Sequence, residues 1–150
     1  MRIRRRTRRG FSLLELTIVM TIMGVLIAIP APRFGRAIEQ PKLDVAASNL
    51  RSIWAAERFY YLETGRYGTL TDLAADTLAS DLVDPTILDG TAFYAYSVSL
   101  ATGSQSFVAT AVRPPSSVAS GTVTIDQAGN LACNVAYAGQ AMTPSLEPHP

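Results

Sequence analysis

Between Phe11 and Ile29 the chain runs nineteen residues in which Glu15 is the only ionisable side chain. A stretch that apolar suits neither a surface helix nor a half-buried strand; as a helix it reaches most of the way across a bilayer core of about 30 Å. Residues 1–10 carry six arginines and no acid. A basic flank of that kind favours a cytoplasmic N-terminus and sends the chain beyond the apolar run to the far side of the membrane. Glu15 is the anomaly in this segment. An acid inside an apolar span costs roughly 2.5–3.5 kcal/mol on insertion scales, so it needs a partner.

Ordinary export signals account for the segment poorly. A secretory signal ends in a small-x-small cleavage site, but here Pro30 and Pro32 crowd Ala28 and Ala31 where a peptidase would act. Thr7-Arg8-Arg9-Gly10-Phe11 has the paired arginines of a twin-arginine signal, again without its cleavage site. A plain signal anchor leaves Glu15 without a purpose.

The run Arg9-Gly10-Phe11-Ser12-Leu13-Leu14-Glu15-Leu16 resembles the processing site of type IV pilins and of the pseudopilins of type II secretion. Gly24, Pro32 and Phe34 stand where that family has its glycine, helix-kinking proline and phenylalanine, which extends the resemblance through Phe34. The resemblance implies cleavage after Gly10 by a dedicated prepilin peptidase on the cytoplasmic side and methylation of the new Phe11 amine. It also implies that Glu15 pairs with the Phe11 amine of a neighbouring subunit during assembly. The physics agrees: Gly10 lets the backbone lie extended in a narrow peptidase site, and the cut creates a cation at the edge of the apolar run. Family members without this glutamate are often the first subunits of a filament, so its presence favours an internal position.

Pro30, Pro32 and Pro41 each lack an amide proton, so a helix starting near Phe11 is expected to bend or unwind between residues 26 and 41. Pro30 is additional to the family pattern. Beyond it, Leu43, Ala46, Leu50, Ile53, Ala56 and Tyr60 recur at three- and four-residue steps and predict an amphipathic helix that Gly65 stops. Trp54, Tyr60 and Tyr61 read as core or subunit contacts. A connection over residues 64–91, with a short helix near 71–79, leads to four strand candidates at 92–100, 105–112, 121–126 and 131–137. Tyr94, Tyr96, Val98 and Leu100 form the heavier face of the first; Val123 with Ile125, and Leu131 with Cys133, Val135 and Tyr137, form those of the last two. Pro114-Pro115 breaks the second strand, and residues 127–130 make a turn.

The expected fold is therefore α+β and pilin-like, a long kinked N-terminal helix whose second half packs on a roughly four-stranded antiparallel sheet. Its parts are a leader at 1–10, a transmembrane or filament-core half-helix at 11–29, a kink and amphipathic half at 30–63, the connection at 64–91, the sheet at 92–139 and a loose tail at 140–150.

Charge and chemistry narrow the function. Without residues 1–10 the chain has seven basic and twelve acidic residues, a net −5, which argues against nucleic acid as a partner. Cys133 is the only cysteine, so no intrachain disulfide forms, and His149, the only histidine, sits between two prolines at the chain end. There is no G-x-S-x-G pattern, phosphate loop or Cys/His metal spacing, so no enzyme activity and no cofactor is expected. Asp72, Asp76, Asp81, Asp84 and Asp89 read as solvated loop residues, and the aspartate-rich calcium motif of major pseudopilins is not evident. The resemblance implies a structural subunit of a type IV pilus or type II secretion pseudopilus. Its partners would be its own copies and related pilins, the peptidase, an assembly ATPase and an inner-membrane platform protein. The precursor would sit in the inner membrane, head outside, before joining a periplasmic or cell-surface filament. The competing reading is a membrane-anchored or filament-tip binding module, a minor pilin that contacts a surface, DNA or secreted substrate.

Overall fold

The computed structural model describes residues 11–28, 34–114 and 118–145. Gly10, Pro30 and Pro32 lie outside these residues, and with them the expected kink. The chain divides into two compact units, Met1–Gly35 and Arg36–Pro150.

In the first unit, α1 spans Leu13–Ala28. It has no polar face, because its sixteen residues hold one acid and two threonines among apolar side chains. The threonine hydroxyls turn back on the helix: Thr17 Oγ1 donates to the Leu14 carbonyl and Thr21 Oγ1 to that of Thr17. Sixteen residues make about 24 Å of helix at 1.5 Å each. Among the described residues, no helix is long and apolar enough to cross a membrane.

In the second unit, α2 (Phe34–Thr64) supplies one wall of the head's core. All six residues of the predicted stripe are buried, five of them completely. The helix stops as expected at Gly65, which takes φ +74° while its N–H donates to the Tyr61 carbonyl at 2.9 Å, a left-handed cap that an L side chain would strain. Contrary to expectation, α2 runs through Pro41 without interruption. Proline removes the amide that would meet the Ala37 carbonyl, yet contacts on both sides of it hold the helix in place. Arg36, Gln40 and Asp44, spaced four apart, bond residues 140–145. Arg36 reaches Gln140 and the Ala141 carbonyl, Gln40 Nε2 donates to the Thr143 carbonyl at 2.8 Å, and Ser145 N–H donates to Asp44 Oδ1 at 2.7 Å.

The connection holds three short helices, α3 (Leu70–Ala75), α4 (Thr77–Ser80) and α5 (Pro85–Leu88). The single helix expected near 71–79 is split at Asp76, which closes α3 and caps α4 by accepting from the Leu78 and Ala79 amides. Five strands complete the head: β1 (Ala95–Leu100), β2 (Phe107–Arg113), β3 (Ala119–Asp126), β4 (Leu131–Tyr137) and β5 (Gln140–Met142). They form an antiparallel meander in the order β1-β2-β3-β4-β5. The register sets Val98 against Ala109, Ala109 against Ile125 and Val123 against Cys133, so one face of the sheet meets α2. Leu43, Leu50 and Ile53 close on Phe107, Val123, Ile125, Val135 and Met142, with Leu73, Val83 and Ile87 sealing the side. Each fully buried aliphatic side chain contributes about 1.5–3 kcal/mol. The fifth strand corrects the expected loose tail: from residue 140 the chain turns back and pairs with β4, Val135 opposite Met142, before the α2 contacts secure it. Only a left-handed corner permits so tight a return, with Ala138 at φ +50° and Gly139 at φ +78°.

Candidate assembly site and the buried charges of the head

Two of the residues that the sequence singles out, Phe11 and Glu15, lie at the start of α1. Phe11 precedes the helix and is 81% exposed. Glu15 lies in the first helical turn, where the unpaired amides of a helix N-terminus favour negative charge, and it is exposed. Around it, every large apolar side chain from Phe11 to Ile27 is exposed, Leu13 most at 83% and Val19 least at 47%. No side of α1 is turned toward a core of its own. An exposed apolar surface of this extent is stable only when lipid or other protein covers it, and a carboxylate inside such cover needs a cation.

Three of the connection's five aspartates have structural employment. Asp72 forms a reciprocal capping box with Thr69, Asp76 caps α4, and Asp84 accepts from the Thr86 amide at 2.8 Å and its hydroxyl at 2.6 Å. The Thr69 and Thr86 hydrogen bonds hold the Asp72 and Asp84 carboxyls below the usual carboxylate range. Among the described residues, no group of three or more His, Cys, Asp or Glu is placed to hold a metal ion.

Two buried charge sites escaped the sequence reading. Glu39 and Arg113 join α2 to β2: Arg113 Nη2 lies 3.1 Å from Glu39 Oε2, Nη1 donates to the Phe93 carbonyl at 2.8 Å, and Lys42 Nζ reaches Glu39 Oε1 at 2.7 Å. Burial works to raise the Glu39 pKa, but the Lys42 hydrogen bond and the Arg113 charge outweigh it and hold the carboxyl below its ordinary value. Glu57 is fully buried and has no cation beside it among these contacts. Its Oε2 accepts from the Gly68 amide at 3.0 Å, while Oε1 has no hydrogen-bond partner. Burial pushes its pKa up to about 7, against the Gly68 hydrogen bond and with help from the Asp72 charge. A sequence signal existed: position 57 falls on the stripe of Ile53 and Tyr60, where helical spacing calls for an apolar residue.

An apolar helix with one acid in its first turn and an α+β head are the two units that known proteins can be set against. Residues 5–29 match the model of the prokaryotic N-terminal methylation motif. The chain is 39% identical over 59 residues to the type IV major pilin protein PilA of Myxococcus xanthus, a match covering 39% of this chain and 27% of that protein. It is 35% identical over 63 residues to the type II secretion system core protein G of Pseudomonas aeruginosa, covering 42% and 44%. With the toxin coregulated pilin of Vibrio cholerae it shares 39% identity over 77 residues, covering 51% and 34%. The chain thus spans less than half the length of these curated relatives. No solved structure matches it significantly. Over this N-terminal segment the chain is similar to type IV pilins and to the core protein of type II secretion systems.

Proposed function

We propose that the chain is a structural filament subunit, made as a single-pass inner-membrane precursor with its N-terminus in the cytoplasm and its head outside. A prepilin peptidase cuts it between Gly10 and Phe11 and methylates the Phe11 amine. An assembly ATPase and a platform protein then draw it from the membrane into a type IV pilus or a type II secretion pseudopilus. The observation that carries this reading is α1 itself, apolar on all sides and exposed, with one acid in its first turn.

The physical argument concerns two successive solvents. In the precursor, lipid covers α1; once the helix leaves the bilayer, only other copies of α1 can, so the helices bundle in the filament core with the heads outside. Glu15 then lies inside protein and the Phe11 amine of a neighbouring subunit neutralises it, which ties the electrostatic gain to the correct stagger between copies.

A Glu15→Ala chain tests the pairing. It is expected to be cut to the same N-terminus as the wild type but to be lost from sheared filaments, and wild-type filament yield from this variant would refute the role given to Glu15.

A further inference from the structure

The head carries two unlike patches on separate parts of its surface. One is an open groove of about 390 Å³ between α2 and the β3–β4 turn, lined by Arg51, Trp54, Ala55, Ile125, Ala128 and Gly129. Its walls are held in place: Trp54 Nε1 donates to the Gln127 carbonyl at 3.1 Å, and the exposed Arg58 guanidinium lies 5.5 Å from the Trp54 ring centre. The groove is apolar inside with cations beside it. The other patch is the connection, where residues 70–91 hold five aspartates and no lysine or arginine. There Leu82, 43% exposed, stands between the exposed Asp81 and Asp84.

These patches cannot meet within one copy. Asp84 lines a cleft with Asn49 of α2 and Tyr96 of β1, the edge strand. At 3.6 residues per turn, Arg58 points about half a turn away from Asn49, and Arg51, seven residues before Arg58, shares its side. Two complementary patches on opposite sides of one molecule make a heterologous contact, the kind that propagates into an open helical polymer instead of closing as a dimer. Resting on the filament reading above, we propose that a second copy of this chain seats Leu82 in the Trp54 groove, with its Asp81 and Asp84 carboxylates against Arg58 and the cationic side of α2. Buried α1 helices supply most of the cohesion, and the Glu15 pairing sets their stagger but leaves the rotation of the heads open. This head contact fixes which neighbour a subunit meets and in what rotation.

The test uses the full chain in cells that assemble it. Arg58→Glu, and separately Asp81→Arg, are each expected to lower the yield of sheared filaments about tenfold, and the two together to restore it, since like charges across an interface cost far more than opposite ones gain. Cleavage after Gly10, read by intact mass, and the melting temperature should match the wild type in every variant. In a Cys133→Ala background, Leu82→Cys with Ala128→Cys should give a ladder of cross-linked oligomers from oxidised filaments, and neither cysteine alone should. Wild-type yields from both charge variants, or filaments of the double-cysteine chain without a ladder, would overturn the contact while leaving the filament reading intact. A wild-type chain that is never recovered in filaments would overturn both.

Discussion

Glu57 shows how a single residue reports the difference between a pattern and a structure. Helical spacing assigned its neighbours Ile53, Ala56 and Tyr60 to the core, and all three are buried, yet the acid among them is buried too, with one oxygen on the Gly68 amide and the other unpartnered. Periodicity puts position 57 on the buried stripe but does not disclose the unpaired oxygen, whose cost is set by tertiary surroundings. Its folded pKa of about 7 against an ordinary 4.5 gives the sign of the pH effect. Below pH 4.5 both states hold the proton. Between 4.5 and 7 the unfolded chain gives it up while the folded chain keeps it, so stability falls as pH rises, and above 7 the loss is complete and constant. The expected loss is on the order of 3 kcal/mol. Denaturant titrations from pH 4 to 9 should show this fall as the difference between the wild type and Glu57→Gln, which keeps an acceptor for Gly68 but does not titrate. A difference that does not change with pH would mean that Glu57 ionises normally. Glu39 and Arg113 were invisible as a pair in sequence, separated by 74 positions and joined only when β2 lies across α2.

At the scale of elements, the patterns with strong periods were legible. The buried stripe of α2, the stop at Gly65 and the four strands from β1 to β4 follow directly from apolar spacing and turn residues. What local chemistry could not convey was where tertiary contacts overrule it. Pro41 reads as a helix breaker, but Glu39, Gln40 and Asp44 anchor both flanks, and the packing energy of the head exceeds the proline penalty of about 3 kcal/mol. Pro41→Ala should therefore stabilise the head by about 1–2 kcal/mol, less than the whole penalty because alanine also frees the unfolded chain. For a domain of this size that appears as a rise of several degrees in melting temperature. An unchanged or lower value would show that α2 bears no strain at this position. The short, polar run of β5 offered no alternation to recognise. Its pairing depends on the left-handed corner at Ala138 and Gly139 and on the Arg36, Gln40 and Asp44 stripe, far away in sequence.

For the whole molecule, the division of labour lies along the chain. The head is a self-sufficient core in which α2 and five strands bury their apolar faces against each other. The α1 helix has no such internal cover, with side chains from Phe11 to Ile27 exposed on every side, and its stability must come from whatever surrounds it. The N-terminal signal was the most legible part of the sequence because charge, apolar length and one misplaced acid are all local properties, and the methylation-motif match over residues 5–29 falls on the same segment. Everything proposed for α1 begins with one covalent event, so the decisive measurement is intact mass with N-terminal sequencing of the protein from cells with and without prepilin peptidase. The account predicts a mature chain that begins at methylated Phe11 when the peptidase is present, and one that retains residues 1–10 when it is absent. A chain cut near residue 30, or left uncut in both, would contradict it and make an exported or anchored binding domain the better description.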